Sequence, residues 1–378
     1  MREMPPANIS EALVQARRHA RANGLRYVSD CEPGITRKRN GKGFCYFSPT
    51  KRLIASDSVL ERIRQLAIPP AYTDVWVCSD PRGHLQATGR DARGRKQYRY
   101  HPRWRQTRDD GKFSRMVDFG DRLPQLRRRL KEDLALAGLP SNKVLAVVVT
   151  LLDELLLRVG NEEYARSNNS YGLTTLKNKH VRFLRDGRAS FCFRGKSGRK
   201  QQIILDDKRL VRLIRRMQQL PGQQLFQYVD DDGELQPIDS GMVNDYLRDA
   251  TGSDGFTAKD FRTWGATVRA IAHLACRPHS ESLSKTAFKR CVADTARRVA
   301  DALGNTPAVC RKSYINPVVF SAWRCGVLDK MIPKTSLSPK RMEQRALKVL
   351  RSGQAANGER TAGAFRADAW KLSPGSRA

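Results

Sequence analysis

The sequence predicts an α+β protein with three parts. Residues 1–107 form a small antiparallel, β-rich domain, residues 108–335 a larger, mainly α-helical domain with a short sheet, and residues 336–378 a basic tail. Three observations carry this. Short β-branched and aromatic runs separated by turn residues fill the first hundred positions. From about residue 105 apolar residues recur at helical spacing. A chain of 378 residues is also long enough to bury cores in two domains of ordinary size.

In the N-terminal part, Ile35 to Pro49 crosses Asn40-Gly41, a pair suited to the positive backbone angles of a tight hairpin. Ser58-x-x-Glu61 reads as a capping box opening a helix with the apolar face Leu60, Ile63 and Leu66, ended by Pro69-Pro70. Val75 to Cys78 and His84 to Thr88 flank the turn Asp80-Pro81-Arg82-Gly83 and read as a second hairpin. Farther on, Ser141 is placed to cap a strongly apolar helix that runs through Leu157 and stops near Gly160, so that Arg158 ends it. Thr174–Leu176, Val181–Phe183, Phe191–Phe193 and Gln201–Leu205 read as short strands. Helices are expected over 206–220, 240–250, 258–276, 285–303 and 317–330. Beyond 335 the chain is basic and rich in Ala, Gly and Ser, with little periodicity, and reads as a frayed helix and a mobile tail.

Seventy Lys and Arg against thirty-eight Asp and Glu leave a formal charge of +32. A surface that basic repels itself, and a large anion such as nucleic acid is its natural partner. A membrane partner is not expected. The longest apolar stretch, Val144 to Leu157, is interrupted by Asp153 and Glu154 and falls short of the ~18 residues of a spanning helix. Met1 to Ser10 is polar and contains two prolines, unlike a secretory leader. The eight cysteines show no C-x-x-C pair, which argues against a zinc site and fits an intracellular, reduced protein, expected in the cytoplasm.

Nucleotide chemistry is not implied. Gly195-Lys196-Ser197 imitates the end of a phosphate-binding loop, but Ser190 stands where that motif needs its first glycine, and strand-like runs flank it on both sides. The acidic residues do not read as the ligand set of a two-metal nuclease. There remain three cations and a tyrosine in unusual settings. Arg158 lies in L-L-L-R-V-G-N-E-E-Y-A, and Lys196 stands at the tip of a tight hairpin. Arg262 follows the capping box Thr257/Asp260, and Tyr314 closes a segment opened by Thr306 and Pro307. Each alone has an ordinary alternative: dipole compensation, a solvated turn lysine, a core tyrosine. Together they suit phosphoryl transfer. A tyrosine attacking a phosphodiester needs charge stabilised on the non-bridging oxygens, which guanidinium forks do well. The departing sugar oxygen needs a proton, which a lysine in a cationic site can give.

The same residues carry a resemblance to a known family, the type IB DNA topoisomerases in their poxvirus-like and bacterial branch. The matching stretches are R-V-G-N-E-E-Y-A-R-S-N-N-S-Y-G-L-T-T-L (158–176), R-G-K-S-G (194–198), K-D-F-R-T-W-G (259–265) and K-S-Y-I (312–315). A-I-P-P-A-Y-T-D-V-W (67–76) and G-R-K-Q-Y-R-Y-H-P (94–102) extend the likeness to the N-terminal part, so that it runs from about Tyr46 to Val319. The resemblance implies a clamp around duplex DNA and relaxation of supercoils, without ATP, metal or other cofactor. It makes Tyr314 the nucleophile of a 3′-phosphotyrosyl link, Arg158 and Arg262 the phosphate clamp, and Lys196 the general acid. Where the viral and nuclear enzymes carry a histidine nine residues before the tyrosine, this chain has Asn305, a neutral donor. Gln97, Tyr98, Tyr100 and Tyr164 match DNA contacts, and Lys259 is expected to face DNA as well. The implied partner is supercoiled duplex DNA, bound by a monomer associated with the nucleoid. Two rival readings are a tyrosine recombinase, which usually shows H-x-x-R where this chain has Lys259-x-x-Arg262, and a non-enzymatic basic DNA-coating protein.

Overall fold

The computed structural model describes residues 7–41, 43–92, 94–277, 284–333 and 337–361. They divide into two compact units, Met1–Gly111 and Lys112–Ala378, a boundary slightly beyond the one expected after residue 107.

The first unit opens with helix α1 (Ala7–Ala22), followed by strands β1 (Ile35–Asn40) and β2 (Gly43–Phe47). Helix α2 (Asp57–Gln65) leads to β3 (Thr73–Val77), β4 (Leu85–Arg90), β5 (Lys96–Tyr100) and the exit helix α3 (Pro102–Ser114). The five strands form one antiparallel sheet in the order β2-β1-β3-β4-β5. The Asn40-Gly41 hairpin forms as its sequence predicts, with Gly41 in the left-handed region at φ 54°. Helix α2 lays Ile63 against Ile35, Val75, Val77 and Ala87 of the sheet. Its start differs from the reading of Ser58 as cap. The helix begins at Asp57, the Ser56 hydroxyl pairs with that of Ser58 at 3.0 Å instead of capping the backbone, and Glu61 turns to Arg64.

In the second unit α4 (Met116–Asp133) and α5 (Ser141–Leu155) precede the short α6 (Glu162–Asn168). A three-stranded antiparallel sheet follows, β6 (Val181–Phe183), β7 (Ala189–Arg194) and β8 (Lys200–Leu205), in that order. Then come α7 (Lys208–Gln218), the hairpin β9 (Gln227–Val229)/β10 (Leu235–Pro237), α8 (Ser240–Thr251), α9 (Ala258–Ala275) and α10 (Lys285–Leu303). The chain continues through α11 (Pro307–Ser313), α12 (Val318–Arg324), α13 (Val327–Met331) and α14 (Pro339–Thr361). Helix α5 is apolar nearly all round and lies in the core, and α9 packs against α4, α5 and α10.

Four expectations change here. Helix α5 stops at Leu155, because Leu156 adopts a left-handed conformation (φ 51°) and turns the chain, so Arg158 lies beyond the helix. Residues 174–176 do not form a strand. Leu173–Thr175 is a 3₁₀ turn in which the threonine hydroxyls bond to the Val159 and Gly172 carbonyls, taking up backbone acceptors that a ladder would need. The helix read over 317–330 is two pieces, divided at Gly326 (φ 69°). In the segment read as a frayed helix and a mobile tail, the helix is α14, which is packed and not frayed over Ala346, Val349 and Leu350, all buried; residues 362–378 lie outside the described residues. Ala346, Val349 and Leu350 stand at helical spacing. No described helix is long and apolar enough to cross a membrane.

Candidate active site

Tyr314 is the C-cap of α11. The helix starts as the sequence predicts, with Pro307 in its first turn and the Thr306 hydroxyl accepting from Val309 N at 3.3 Å. The backbone around the tyrosine is pinned on both sides. Thr267 of α9, fully buried, donates to the Tyr314 carbonyl at 3.2 Å and accepts from Asn316 N at 3.1 Å. Lys112 Nζ donates to the Ser313 carbonyl at 2.7 Å.

Arg262 projects from α9 behind the Thr257/Asp260 capping box, which forms as expected. It is buried, 3% exposed, and its guanidinium carbon lies 5.1 Å from the centre of the Tyr314 ring. Two backbone carbonyls hold the fork. Nη1 donates to Leu156 and Nη2 to Leu303 at 2.9 Å. Those carbonyls stand at the C-terminal ends of α5 and α10, where the helix dipole favours a cation. The left-handed turn at Leu156 thus directs a carbonyl to Arg262 and starts the segment that carries Arg158. Nε of Arg262 is buried without a partner among the described residues.

Arg158 lies in an irregular segment whose backbone is stitched to the 3₁₀ turn. Leu173 N donates to the Arg158 carbonyl at 2.9 Å and Thr174 N to the Val159 carbonyl at 2.7 Å. Gly172 makes this approach possible, since a Cβ there would stand 2.5 Å from Gly160 N. Arg158 Nη2 donates to Asn305 Oδ1 at 2.9 Å, which leaves the Asn305 amide nitrogen buried and without a partner among the described residues. Asn305 follows Gly304, the left-handed cap (φ 58°) that ends α10.

The charges explain how the group behaves. Burial, and then the like charge of Arg262, lower the proton affinity of Arg158 to about 10; only Tyr314 and Cys310 favour its charge, and neither is a carboxylate. Burial alone would raise the Tyr314 phenol, but Arg262, Arg158 and the nearby Asn305 amide outweigh it and hold the phenol below its ordinary value. Two guanidiniums without an acidic partner among the described residues, beside a phenol held below its ordinary pKa, suit an incoming anion.

Lys196 is placed differently. It lies in a 3₁₀ turn, Lys196–Gly198, at the tip of the β7–β8 hairpin; it is exposed and has no hydrogen-bond or ionic partner among the described residues. The hairpin it rides on does reach the site, because Arg199 Nη1 donates to the Asn305 carbonyl at 2.7 Å. In the first unit, Tyr98 and Tyr100 share one face of β5, their rings stacked with centroids 6.1 Å apart, and Tyr98 is 47% exposed. Gln97, on the opposite face, donates to Asp91 at 3.1 Å. Lys259 is exposed in the first turn of α9. Tyr164 falls on α6, with its side chain outside the described residues.

Sequence reasoning missed Arg199, Thr267, Lys112 and Leu156. The first three act through carbonyls, or through a hydroxyl on the buried side of a helix, and no motif marks such contacts. Leu156 was hidden because leucine at positive φ is rare. Among the described residues no group of three or more His, Cys, Asp and Glu side chains could hold a metal ion.

A phenol set among guanidiniums, rather than among carboxylates, has the chemistry of a site for anions. The comparisons are more specific. Residues 101–321 match the family model of the eukaryotic DNA topoisomerase I catalytic core, and residues 43–91 that of the bacterial DNA topoisomerase IB N-terminal domain. A DNA topoisomerase 1B of Acanthamoeba polyphaga mimivirus is 34% identical over 287 residues, covering 75% of this chain and 85% of the relative. DNA topoisomerase I of monkeypox virus and DNA topoisomerase 1B of vaccinia virus (strain Copenhagen) are each 24% identical over 267 residues, covering 69% of this chain and 80% of the relative. The chain belongs to the type IB DNA topoisomerases.

Proposed function

We propose that this enzyme relaxes positive and negative supercoils by cutting one strand of duplex DNA through Tyr314 and resealing it after rotation. The observation that carries the reading is the Tyr314 phenol beside Arg262 and Arg158, held below its ordinary pKa, with Arg262 Nε and Asn305 Nδ2 buried and without a partner among the described residues. The phenol gives its proton to water and Oη attacks the scissile phosphorus. The P–Oη bond forms as the P–O5′ bond breaks, leaving a 3′-phosphotyrosyl link. Arg158, Arg262 and Asn305 hold the non-bridging oxygens as charge builds on them. Lys196 gives its proton to O5′, which leaves as an alcohol. Resealing is the reverse, with the bond energy kept in the phosphotyrosyl link, so ATP is not needed. The cations do the neutralising that a metal would otherwise do, which makes the reaction metal-independent.

The two units grip duplex DNA as a clamp, with Gln97, Tyr98, Tyr100, Tyr164 and Lys259 on its DNA-facing surfaces. The enzyme acts as a monomer on supercoiled DNA in the cytoplasm, on the nucleoid, and the bacterial N-terminal match supports the bacterial branch. The test is plasmid relaxation in EDTA without nucleotide, on substrates of both signs. Stepwise relaxation is expected with wild type. With Tyr314→Phe, DNA binding is retained but neither relaxation nor a covalent adduct is formed. Activity that needs Mg²⁺, or an adduct with the Phe variant, overturns the proposal.

A further inference from the structure

We propose that Arg199 is a positioning residue: it bolts the β7–β8 hairpin to the Asn305 backbone and so sets Lys196 over the scissile phosphate. The inference rests on the reading of Lys196 as general acid. A proton donor is useful only where it meets the leaving oxygen, yet Lys196 itself has no partner among the described residues. The order must come from the hairpin. Its arms are fully paired from Ala189 with Leu205 to Arg194 with Lys200, and the tip is closed by Gly195 N to the Arg199 carbonyl at 2.8 Å. Arg199 leaves this tip three residues after Lys196 and donates Nη1 to the Asn305 carbonyl at 2.7 Å.

A second observation places the same arm against the same turn. Gln201 of β8 packs on Gly304 so closely that a Cβ at Gly304 would stand 2.4 Å from its amide oxygen. Asn305 is therefore a junction. Its side chain takes Arg158 at 2.9 Å, and its backbone takes the hairpin that carries Lys196. Arg199 also lies near enough to weaken the hold of Arg158 on its proton. In this way the clamp on the non-bridging oxygens and the donor for the bridging oxygen share one reference point.

The test is single-turnover cleavage of two duplexes, one with the natural 5′-bridging oxygen and one with sulfur there. A thiolate leaves without a proton, so the sulfur substrate bypasses the general acid. Wild type, Arg199→Ala, Lys196→Ala and the double variant are compared, with Tm measured to confirm folding; Arg199 is exposed, so its truncation leaves the core intact. Arg199→Ala should cleave the oxygen substrate roughly tenfold more slowly, the lower end of what a hydrogen bond from a charged donor contributes. It should match wild type on sulfur, and on oxygen the double variant should be no slower than Lys196→Ala alone. A deficit that persists on sulfur, or adds to that of Lys196→Ala, overturns the proposal and assigns Arg199 to the phosphate clamp. A Lys196→Ala enzyme equally slow on both substrates refutes the general-acid reading itself.

Discussion

Tyr314 shows how two opposing effects are decided. Burial should make the phenol a poorer acid, and two guanidiniums should make it a better one; the guanidiniums prevail. Its pKa is depressed, so the phenolate is present at lower pH than in free tyrosine. Cleavage should accordingly level off at lower pH than an unperturbed phenol would allow. Arg158→Met removes one of the opposing charges, and the Tyr314 titration, followed by NMR of tyrosine labelled at Cζ, should move upward. An unmoved titration would mean that Arg262 alone sets the phenol. The same substitution relieves a buried like-charge pair, so the DNA-free variant should melt no lower than wild type although cleavage fails. Asn305 can be weighed likewise. Asn305→Ala removes the partner of Arg158 and an amide donor, and should raise the cleavage barrier by about 1–3 kcal/mol. Asn305→His keeps a donor in place and should retain most of the rate; an Ala variant cutting at the wild-type rate would remove this residue from the chemistry.

At the scale of elements, the site depends on close backbone approaches that single methyl groups would disturb. Gly172→Ala would drive a Cβ into Gly160 and push the Arg158 segment away. A large loss of cleavage with DNA binding retained is expected, and full activity would show that the segment has slack. Helix α14 is tied in by charge. Glu343 accepts from Arg127 and from Trp264 Nε1, and Arg127 also grips Asp153. Because the group is partly exposed, Glu343→Ala should cost about 1–3 kcal/mol, read as a lower midpoint in denaturant titration. Most of this architecture was legible in the sequence. The Asn40-Gly41 hairpin, the Thr257/Asp260 box and the Thr306-Pro307 start are local devices, each complete within a few residues, and all three formed. Tyr314, Arg158, Arg262 and Asn305 do come together. What escaped depends on distant partners. The end of α5 is set by the carbonyl that Arg262 takes from Leu156, and α14 by an acid whose partners lie on α4 and α9.

For the whole molecule, an excess of thirty-two positive charges makes affinity for DNA a function of ionic strength. Each phosphate neutralised releases counterions, so log K should fall linearly with log salt at a slope of about −0.9 per contact. Fluorescence anisotropy with a labelled duplex between low and moderate salt would read the slope, and a flat line would mean that little of the charge faces DNA. Binding should also raise Tm. In the proposed mechanism duplex supplies an anion to Arg158 and Arg262, and a ligand bound only by the folded state stabilises it. A Tm indifferent to duplex at saturating concentration would contradict this.

The bond from Arg199 ends on the carbonyl of Asn305 and not on its amide. A main-chain acceptor is present whatever side chain the position carries. Exchange of residue 305 between asparagine and histidine therefore leaves the hairpin latched, while it changes the partner offered to Arg158 and, in the proposed mechanism, the way the phosphate is touched. Gly304 is more constrained, since a side chain there would sit on a left-handed backbone and would have to displace the Gln201 amide. Mutational tolerance should thus differ between two adjacent codons, with the glycine more restricted than the asparagine beside it.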